Sequence, residues 1–359
     1  MPTRPEDPAY ANPRYGEIET AIPNRRLEAW KWTDVRAALG RRPDGLSAAL
    51  TPEFHDAHVA PERLAIRETQ LGGAHALGIL FERFGQDAYS VRIPAGEDGG
   101  TLTVTSLERG NGAILIVLEP GARLHLVERH TGEPDAFVNA DLDIRIGEGA
   151  QLVRTVLQSD AASTVRIATA RIRMAARAAL TQHILATGGA LTRFETRIAV
   201  EGEGVAVVAN GGYLLDGERH ADLTTHVALG APGARVRQSV RGIVSDRARG
   251  VFQGKFHVAR AAQFTDAEMR HDALLLSERA RVRAKPELEI YADDVACAHG
   301  NTLGRLDENA LFYMRQRGIS EARAKALLVE AFLAEAFADA ALEDEIADEV
   351  ATWLARRLP

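Results

Sequence analysis

A single cysteine, Cys297, stands in this chain of 359 residues. No disulfide can form within it, and no closed metal or cluster site can be built without histidines, carboxylates or a second chain. Long hydrophobic runs are also missing: no stretch of about eighteen uncharged apolar residues occurs, which excludes a membrane-spanning helix. Met1 to Tyr15 is polar and proline-rich without an apolar core, so no secretory signal is expected there. These absences point to a cytoplasmic protein. Positive charge is not in excess, since Lys and Arg number 43 against 50 Asp and Glu, a net charge of −7. No general affinity for nucleic acid or an anionic membrane follows. The enzyme motifs are missing too. There is no G-x-x-x-x-G-K-[ST], hence no Walker-type ATP site in this chain, and no G-x-S-x-G, H-E-x-x-H or Cys-x-x-Cys.

What is present is an ordinary soluble composition, 46% apolar and 26% charged, on a chain long enough for two or three structural regions. The first is helical. Leu27, Trp30, Val35 and Leu39 approximate a helical stripe interrupted near Thr33, with Gly40 as a stop. Pro43, Gly45, Pro52 and Pro61 then predict short helices and loops with some early strand.

From about residue 77 the apolar period changes to two. Leu102-Val104, Ile114-Ile116-Leu118, Leu142-Ile144-Ile146 and Val165-Ile167 are strand-type runs. Gly121-Ala122-Arg123-Leu124 recurs as Gly149-Ala150-Gln151-Leu152 and Arg177-Ala178-Ala179-Leu180. Gly204-Val205-Ala206-Val207, Gly233-Ala234-Arg235-Val236 and Ala261-Ala262-Gln263-Phe264 follow, at steps of 27 to 29 residues. A tight turn with a small residue and then an inward apolar side chain, at near-constant spacing, is what stacked solenoid coils require. The expected fold is mainly β, a β-solenoid, with a sandwich of coincidentally similar strands as the competitor.

After Gly304 the pattern is helical again. Asp307 caps a helix through Leu311-Phe312-Tyr313-Met314 that Gly318 ends. Ser320 caps a second, with Ala324, Leu327, Leu328, Ala331, Phe332 and Phe337 on one side. A third, acidic helix runs from about Leu342 to Leu358 with Ile346, Val350, Trp353 and Leu354 as its stripe. This region is placed to cover a solenoid end or to hold a partner.

Most of the eleven histidines are scattered. His125, His183, His226 and His257 lie in strand-like stretches, and His220 and His226 flank Asp222 without a metal-site spacing. The segment Glu287 to Gly300 is denser. In a strand, Cys297 and His299 share a face and present thiolate and imidazole, donors suited to iron, zinc or an iron–sulfur cluster. Two donors are too few for tight binding, so a second chain is the natural completion. The competing reading is a buried cysteine beside a structural histidine. Glu287, Glu289, Asp293 and Asp294 read as solvated carboxylates.

Pro286-Glu287-Leu288-Glu289-Ile290-Tyr291-Ala292-Asp293-Asp294-Val295-Ala296-Cys297-Ala298-His299-Gly300-Asn301-Thr302-Leu303-Gly304, followed by Leu311 to Ile319, closely resembles the C-terminal signature of the SufB/SufD family of iron–sulfur cluster assembly scaffolds. Arg26-Leu27-Glu28-Ala29-Trp30-Lys31-Trp32-Thr33 resembles the E-x-W-K/R-Y-T segment of its SufD branch, with Trp32 where Tyr is usual. SufB-like chains are usually longer and carry more cysteines, so the lone Cys297 argues for the SufD branch, of which this chain would be a short member.

The resemblance implies a right-handed parallel β-helix at 77–304, between an N-terminal helical region at 1–76 and a C-terminal one at 305–359 that docks the ABC-type ATPase SufC. It implies a non-catalytic scaffold that partners a SufB-like and a SufC-like chain. A nascent iron–sulfur cluster or iron would be held transiently at the SufB interface by His299, with Cys297 as the less supported ligand. Two readings of other classes stand beside it. One is a homodimeric metal-binding protein in which Cys297 and His299 meet their symmetry mates. The other is a β-helix carbohydrate-active enzyme, which an aromatic content of 6% disfavours.

Overall fold

The structure, a computed structural model, describes residues 22–39, 48–56, 58–65, 77, 87–105 and 108–357. Met1 to Tyr15, Gly40, Pro43 and Gly45, on which expectations were placed above, lie outside these residues. The predicted interruption of the first helix is real: a 3-10 turn, Glu28–Trp30, is separated at Thr33 from a short helix α1, Val35–Leu39.

Eighteen strands follow among the described residues. β1 (Glu53–His55) and β2 (Glu62–Ala65) come first, then β3 (Asp87–Ile93), β4 (Asp98–Thr105), β5 (Gly110–Leu118) and β6 (Arg123–His130). Next are β7 (Phe137–Ile146), β8 (Gln151–Gln158), β9 (Val165–Met174), β10 (Ala179–Ala186), β11 (Leu191–Val200) and β12 (Ala206–Leu215). The series ends with β13 (His220–Leu229), β14 (Arg235–Val244), β15 (Arg249–Val258), β16 (Asp266–Leu275), β17 (Arg281–Ile290) and β18 (Ala296–Gly304). One sheet has the order β2-β3-β5-β7-β9-β11-β13-β15-β17 and the other β1-β4-β6-β8-β10-β12-β14-β16-β18. β1 and β2 pair antiparallel with β4 and β3, whereas among β3 to β18 every strand pairing is parallel and alternate strands belong to alternate sheets. The result is a parallel β-solenoid of about eight turns, and the sandwich reading falls.

The corners explain the repeat. Gly121, Gly149, Arg177, Gly204 and Gly233 all have left-handed φ angles of +56° to +73°. Each donates its N–H to the carbonyl just before its counterpart in the next coil, as Gly121 does to Glu148 and Gly149 to Ala176. Glycine takes that conformation without a Cβ clash, which is why it marks the period. Ala122, Ala150, Ala178, Val205 and Ala234, one residue on, are all buried.

The sixth copy departs from the expected pattern. Phe264 is not an inward apolar residue: it is 73% exposed, and at φ +60° it occupies the left-handed slot itself, donating to Asp294 O. The corner is lengthened there, with Thr265 Oγ1 bonded back to Ala262 O, and Ala267 takes the inward place opposite Val236.

The lumen is packed with aliphatic side chains stacked coil on coil, such as Leu124, Leu152, Leu180, Val207 and Val236. A buried polar chain is set among them. Arg154 bonds Glu128 through Nε at 2.6 Å and Gln182 through Nη1 at 2.6 Å. His130 lies 3.1 Å from Glu128 and 2.9 Å from Arg166, which grips Asp160. Arginine can only donate, so His130 Nδ1 accepts and its Nε2–H donates to Glu128.

Both outer sheet faces are covered. Trp30 and Val35 pack with Phe137, Val165, Ile167 and Leu191 on one flank. On the other, Leu157, Leu185, Leu214 and Ile243 meet the C-terminal helices α3 (Glu321–Ala334) and α4 (Glu343–Arg357), while α2 (Glu308–Gln316) rests against α3. Asp307 and Ser320 cap α2 and α3 as expected, and Gly318 is left-handed between them. In α4 the buried set is Ile346, Val350, Trp353 and Leu354, as the stripe predicts. In and after α3 the stripe is met in part: Ala324 and Phe337 are buried as expected, but Ala326, Val329 and Leu333 take the other inward places, Leu327, Leu328 and Phe332 are half-buried and Ala331 is exposed. The helix is apolar around much of its girth, and contact with the sheet selects the face. The helices lie along the flank, so the reading in which they cover a solenoid end is not realised.

Candidate functional site

The last coil consists of β17 and β18, the terminal strands of their sheets. β18 pairs in parallel with β16, setting Cys297 against Ala267, His299 against Met269 and Asn301 against His271. Ala267, Met269 and His271 are buried in the lumen. Register partners in neighbouring strands point to the same side of a sheet, so Cys297, His299 and Asn301 continue the lumen-facing row into a coil with nothing stacked upon it. Cys297 is half-buried against the end of the apolar core, and His299 and Asn301 are exposed.

The expected juxtaposition of Cys297 and His299 on one strand face is therefore present. The Cys297 sulfur packs on the core yet stands at its edge. Burial pushes the Cys297 thiol up, the Asp266 carboxylate adds to that, and a hydrogen bond with the Ala267 backbone offsets part of it. The resting group is a thiol, with its proton to be displaced by any metal that binds.

The carboxylates of β17 are engaged elsewhere, and Asp293 and Asp294 are exposed as expected. Glu287 pairs with Lys285 at 3.1 Å and Glu289 with Lys255 at 2.7 Å, both along β17 rather than in a turn. Asp294 serves the corner through its backbone. Asp222, between His220 and His226, is fully buried beneath Arg193 at 2.7 Å and is structural. Among the described residues no three His, Cys, Asp or Glu side chains gather into a metal-sized group. The donors at the end coil are of the right type for iron or sulfide-bridged iron, but they form part of a coordination shell.

The lysine pairs tie the N-terminal segment to this coil, because Lys285 also bonds Glu28 at 3.1 Å. On the other side, Thr302 of β18 donates to Asp272, and the Asp272 carboxylate also receives Arg270 at 2.6 Å. Arg241 lies 3.7 Å from Asp272 and donates to Phe332 O and Glu335 beside α3. None of these links was visible in the linear pattern. The signal that would expose them is the coil step, which separates His271 from Asn301 and Asp272 from Thr302 by 30 residues each.

Aromatic and aliphatic side chains also stand out in solvent near this end. Ile290 is 41% exposed and Tyr291 62%. On α2, Phe312 and Tyr313 are 64% and 60% exposed, and α2 buries none of its residues. Among the described residues no helix is long and apolar enough to cross a membrane.

Comparison with known proteins bears on this geometry. Residues 103–332 match the family described as SUF system FeS cluster assembly, SufBD core domain. The iron–sulfur cluster assembly protein SufD of Escherichia coli (strain K12) is 26% identical over 384 aligned residues, covering 95% of this chain and 90% of that protein. A SufBD family protein of Synechocystis sp. is 32% identical over 232 residues, 62% of this chain and 51% of the relative. SufD of Bacillus subtilis (strain 168) is 33% identical over 118 residues, 33% of this chain and 27% of the relative.

Proposed function

Since this chain belongs to the SufBD core family of the SUF iron–sulfur cluster assembly system, as a SufD-like member, we propose that it is a non-catalytic scaffold subunit that completes a cluster-assembly site with a SufB-like chain. The observation that carries this reading is the row formed by Cys297 and His299 on the lumen side of the outermost strand, exposed because no coil follows. An uncovered terminal strand offers backbone donors and acceptors to another chain. A second protein stacked there would bring its own ligands opposite His299 and Cys297.

The nascent cluster is cargo in this scheme. His299 supplies an imidazole that needs no deprotonation from its neutral form, whereas Cys297 must first lose a proton that burial holds on. His299 is therefore the principal ligand and Cys297 the secondary one. The exposed Phe312 and Tyr313 of α2 fit the docking of a SufC-like ATPase on residues 305–359. That partner would supply ATP hydrolysis, and the assembly would work in the cytoplasm.

The test is co-purification of the chain with SufB-like and SufC-like partners, followed by anaerobic iron and sulfide analysis. His299→Ala is expected to leave the complex intact and to abolish most of its cluster. Cluster accumulation at the wild-type rate would overturn the assignment. A homodimer that binds iron through the same end coil, found on the isolated chain and absent from the complex, would support the second reading instead.

A further inference from the structure

Below Asn301 lies a polar chain that the packing of the lumen does not call for. Across the coils, the inward position aligned with Asn301 is Val156, Ile184, Gly211, Val240 and then His271. Before Val156 the column holds Val104 and Glu128, the latter gripped by Arg154, and from Val156 onward no polar side chain enters it until its last two members. His271 is fully buried and lies flat on Phe252, with ring centroids 4.8 Å apart at 3°. Its Nε2 is 2.8 Å from Tyr213 Oη, and its Nδ1 is 2.8 Å from Asn301 Oδ1. Tyr213 is fully buried as well, and two glycines make room for its ring. A Cβ at Gly242 or Gly250 would fall 2.2 Å or 2.5 Å from it.

One arrangement of protons follows from the phenol as donor. Burial holds the Tyr213 phenol far above neutral pH, so it keeps its proton and donates to His271 Nε2. Burial pushes His271 down, with Asn301 and Asp272 offsetting part of the effect, so the ring is neutral and its one proton is on Nδ1. Nδ1–H needs an acceptor, and the Asn301 amide can offer only its Oδ1. Reversing the amide would set two donors face to face. The Nδ2 protons are left for a group outside the lumen. A buried phenol and imidazole cost free energy unless each bond is made, and both bonds lead toward the open end.

We infer that Asn301 is a third working residue of the end-coil row, an amide donor to a sulfur anion of the cargo, and that Tyr213 and His271 are positioning residues that set which way its amide faces. The inference rests on the proposed assembly site. Hydrogen bonds to cluster sulfurs stabilise the more negative, reduced state and raise the reduction potential.

Two measurements test it. In the isolated full chain labelled with 15N-histidine, long-range 1H–15N spectra are expected to show His271 as the Nδ1–H tautomer, and Tyr213→Phe to mix its tautomers. An Nε2–H tautomer in the wild type would overturn the donor role outright. In the complex with SufB-like and SufC-like partners, reconstituted anaerobically with Fe2+ and sulfide, Asn301→Leu and Asn301→Asp are expected to weaken cluster retention on the order of tenfold and to shift the midpoint potential to more negative values. If His299→Ala loses cluster while both Asn301 variants keep wild-type retention and potential, this inference fails and the assembly site stands. If His299→Ala also keeps its cluster, the assembly site fails, and this inference with it.

Discussion

Arg193 donates through Nη1 to Asp222 Oδ2 at 2.7 Å while its guanidinium sits 4.2 Å from the centre of the Trp30 ring. The same Nη1 donates to Ala29 O at 3.0 Å, and the Thr33 hydroxyl donates to Asp222 from the far side of the turn. All of Arg193, Asp222, Trp30 and Thr33 are buried. The Glu-x-Trp-Lys-x-Thr segment is thus an anchor: its tryptophan roofs a buried arginine, and its threonine shares that arginine's carboxylate.

Removing either half of the anchor should be costly. Asp222→Ala removes one of the two carboxylates on the buried Arg193 guanidinium, leaving Glu195 at 2.8 Å, and is expected to destabilise the chain by about 3 kcal/mol. Trp30→Ala is expected to cost about the same, and to free the residues before Val35 to proteolysis. Equilibrium urea unfolding measures both, and losses below about 1 kcal/mol would mean that the segment rests on the solenoid without anchoring there.

Phe264 holds a left-handed conformation with its ring in solvent. Phe264→Gly removes the strain at little cost in buried area and is expected to stabilise the isolated chain by about 1 kcal/mol. A thermal midpoint that is unchanged or lower would show that the ring contributes contacts which offset the strain.

Acid should unfold this protein in two stages. Burial holds His183 and His220 down to about 4, below their unfolded value of 6.5. The unfolded chain therefore binds more protons between those limits, and stability falls as pH drops from about 6.5 to 4. Burial opposes ionisation of Glu128, but Arg154 and His130 outweigh it and hold the carboxyl at about 2. Its contribution is present above 4.5 and is lost as pH falls toward 2. Urea midpoints measured from pH 8 to pH 3 should decline across both windows. A flat profile from pH 6.5 to 4.5 would contradict neutral, buried histidines.

Cys297 is the sole thiol, so alkylation reports on one position. In the isolated chain, iodoacetamide should react slowly at neutral pH and faster as pH rises, because burial pushes the thiol up. In the complex with a SufB-like chain, the reaction should slow at least tenfold. Equal rates in both states would place the interface elsewhere.

Phe312 and Tyr313 both stand in solvent, and Tyr313 accepts a hydrogen bond from Arg317 at 2.6 Å with that guanidinium over its ring. Replacing both by Ala is expected to change stability by less than about 0.5 kcal/mol. Binding of the SufC-like ATPase should weaken at least tenfold, since exposed aromatics are common anchors of interfaces. Calorimetric titration checks this, and undiminished affinity would move the docking site off α2.

Periodic features were legible in the linear sequence because they obey local rules. The alternation in β7 and β9, the glycine at successive corners, the caps Asp307 and Ser320 and the buried stripe of α4 each follow from backbone geometry within a few residues. Phe264 escaped because a lengthened corner conserves neither spacing nor residue type. Part of the inward face of α3 escaped because several apolar faces were available and only the sheet beside it made the selection.

The sequence by itself determined a mainly β solenoid, its approximate coil length, three C-terminal helices and the presence of Cys297 and His299 on one strand face. The end of the solenoid near Gly304 was legible as well, whereas only the tertiary structure decided that Cys297 and His299 face the lumen side, that the helices lie along a flank, and that Tyr213, His271 and Asn301 form one chain over three coil steps. The physical reason is separation. Strand alternation and capping act over a few residues, while a solenoid contact joins side chains about 30 residues apart for every coil crossed, and its partner is known only when the register of every corner is known.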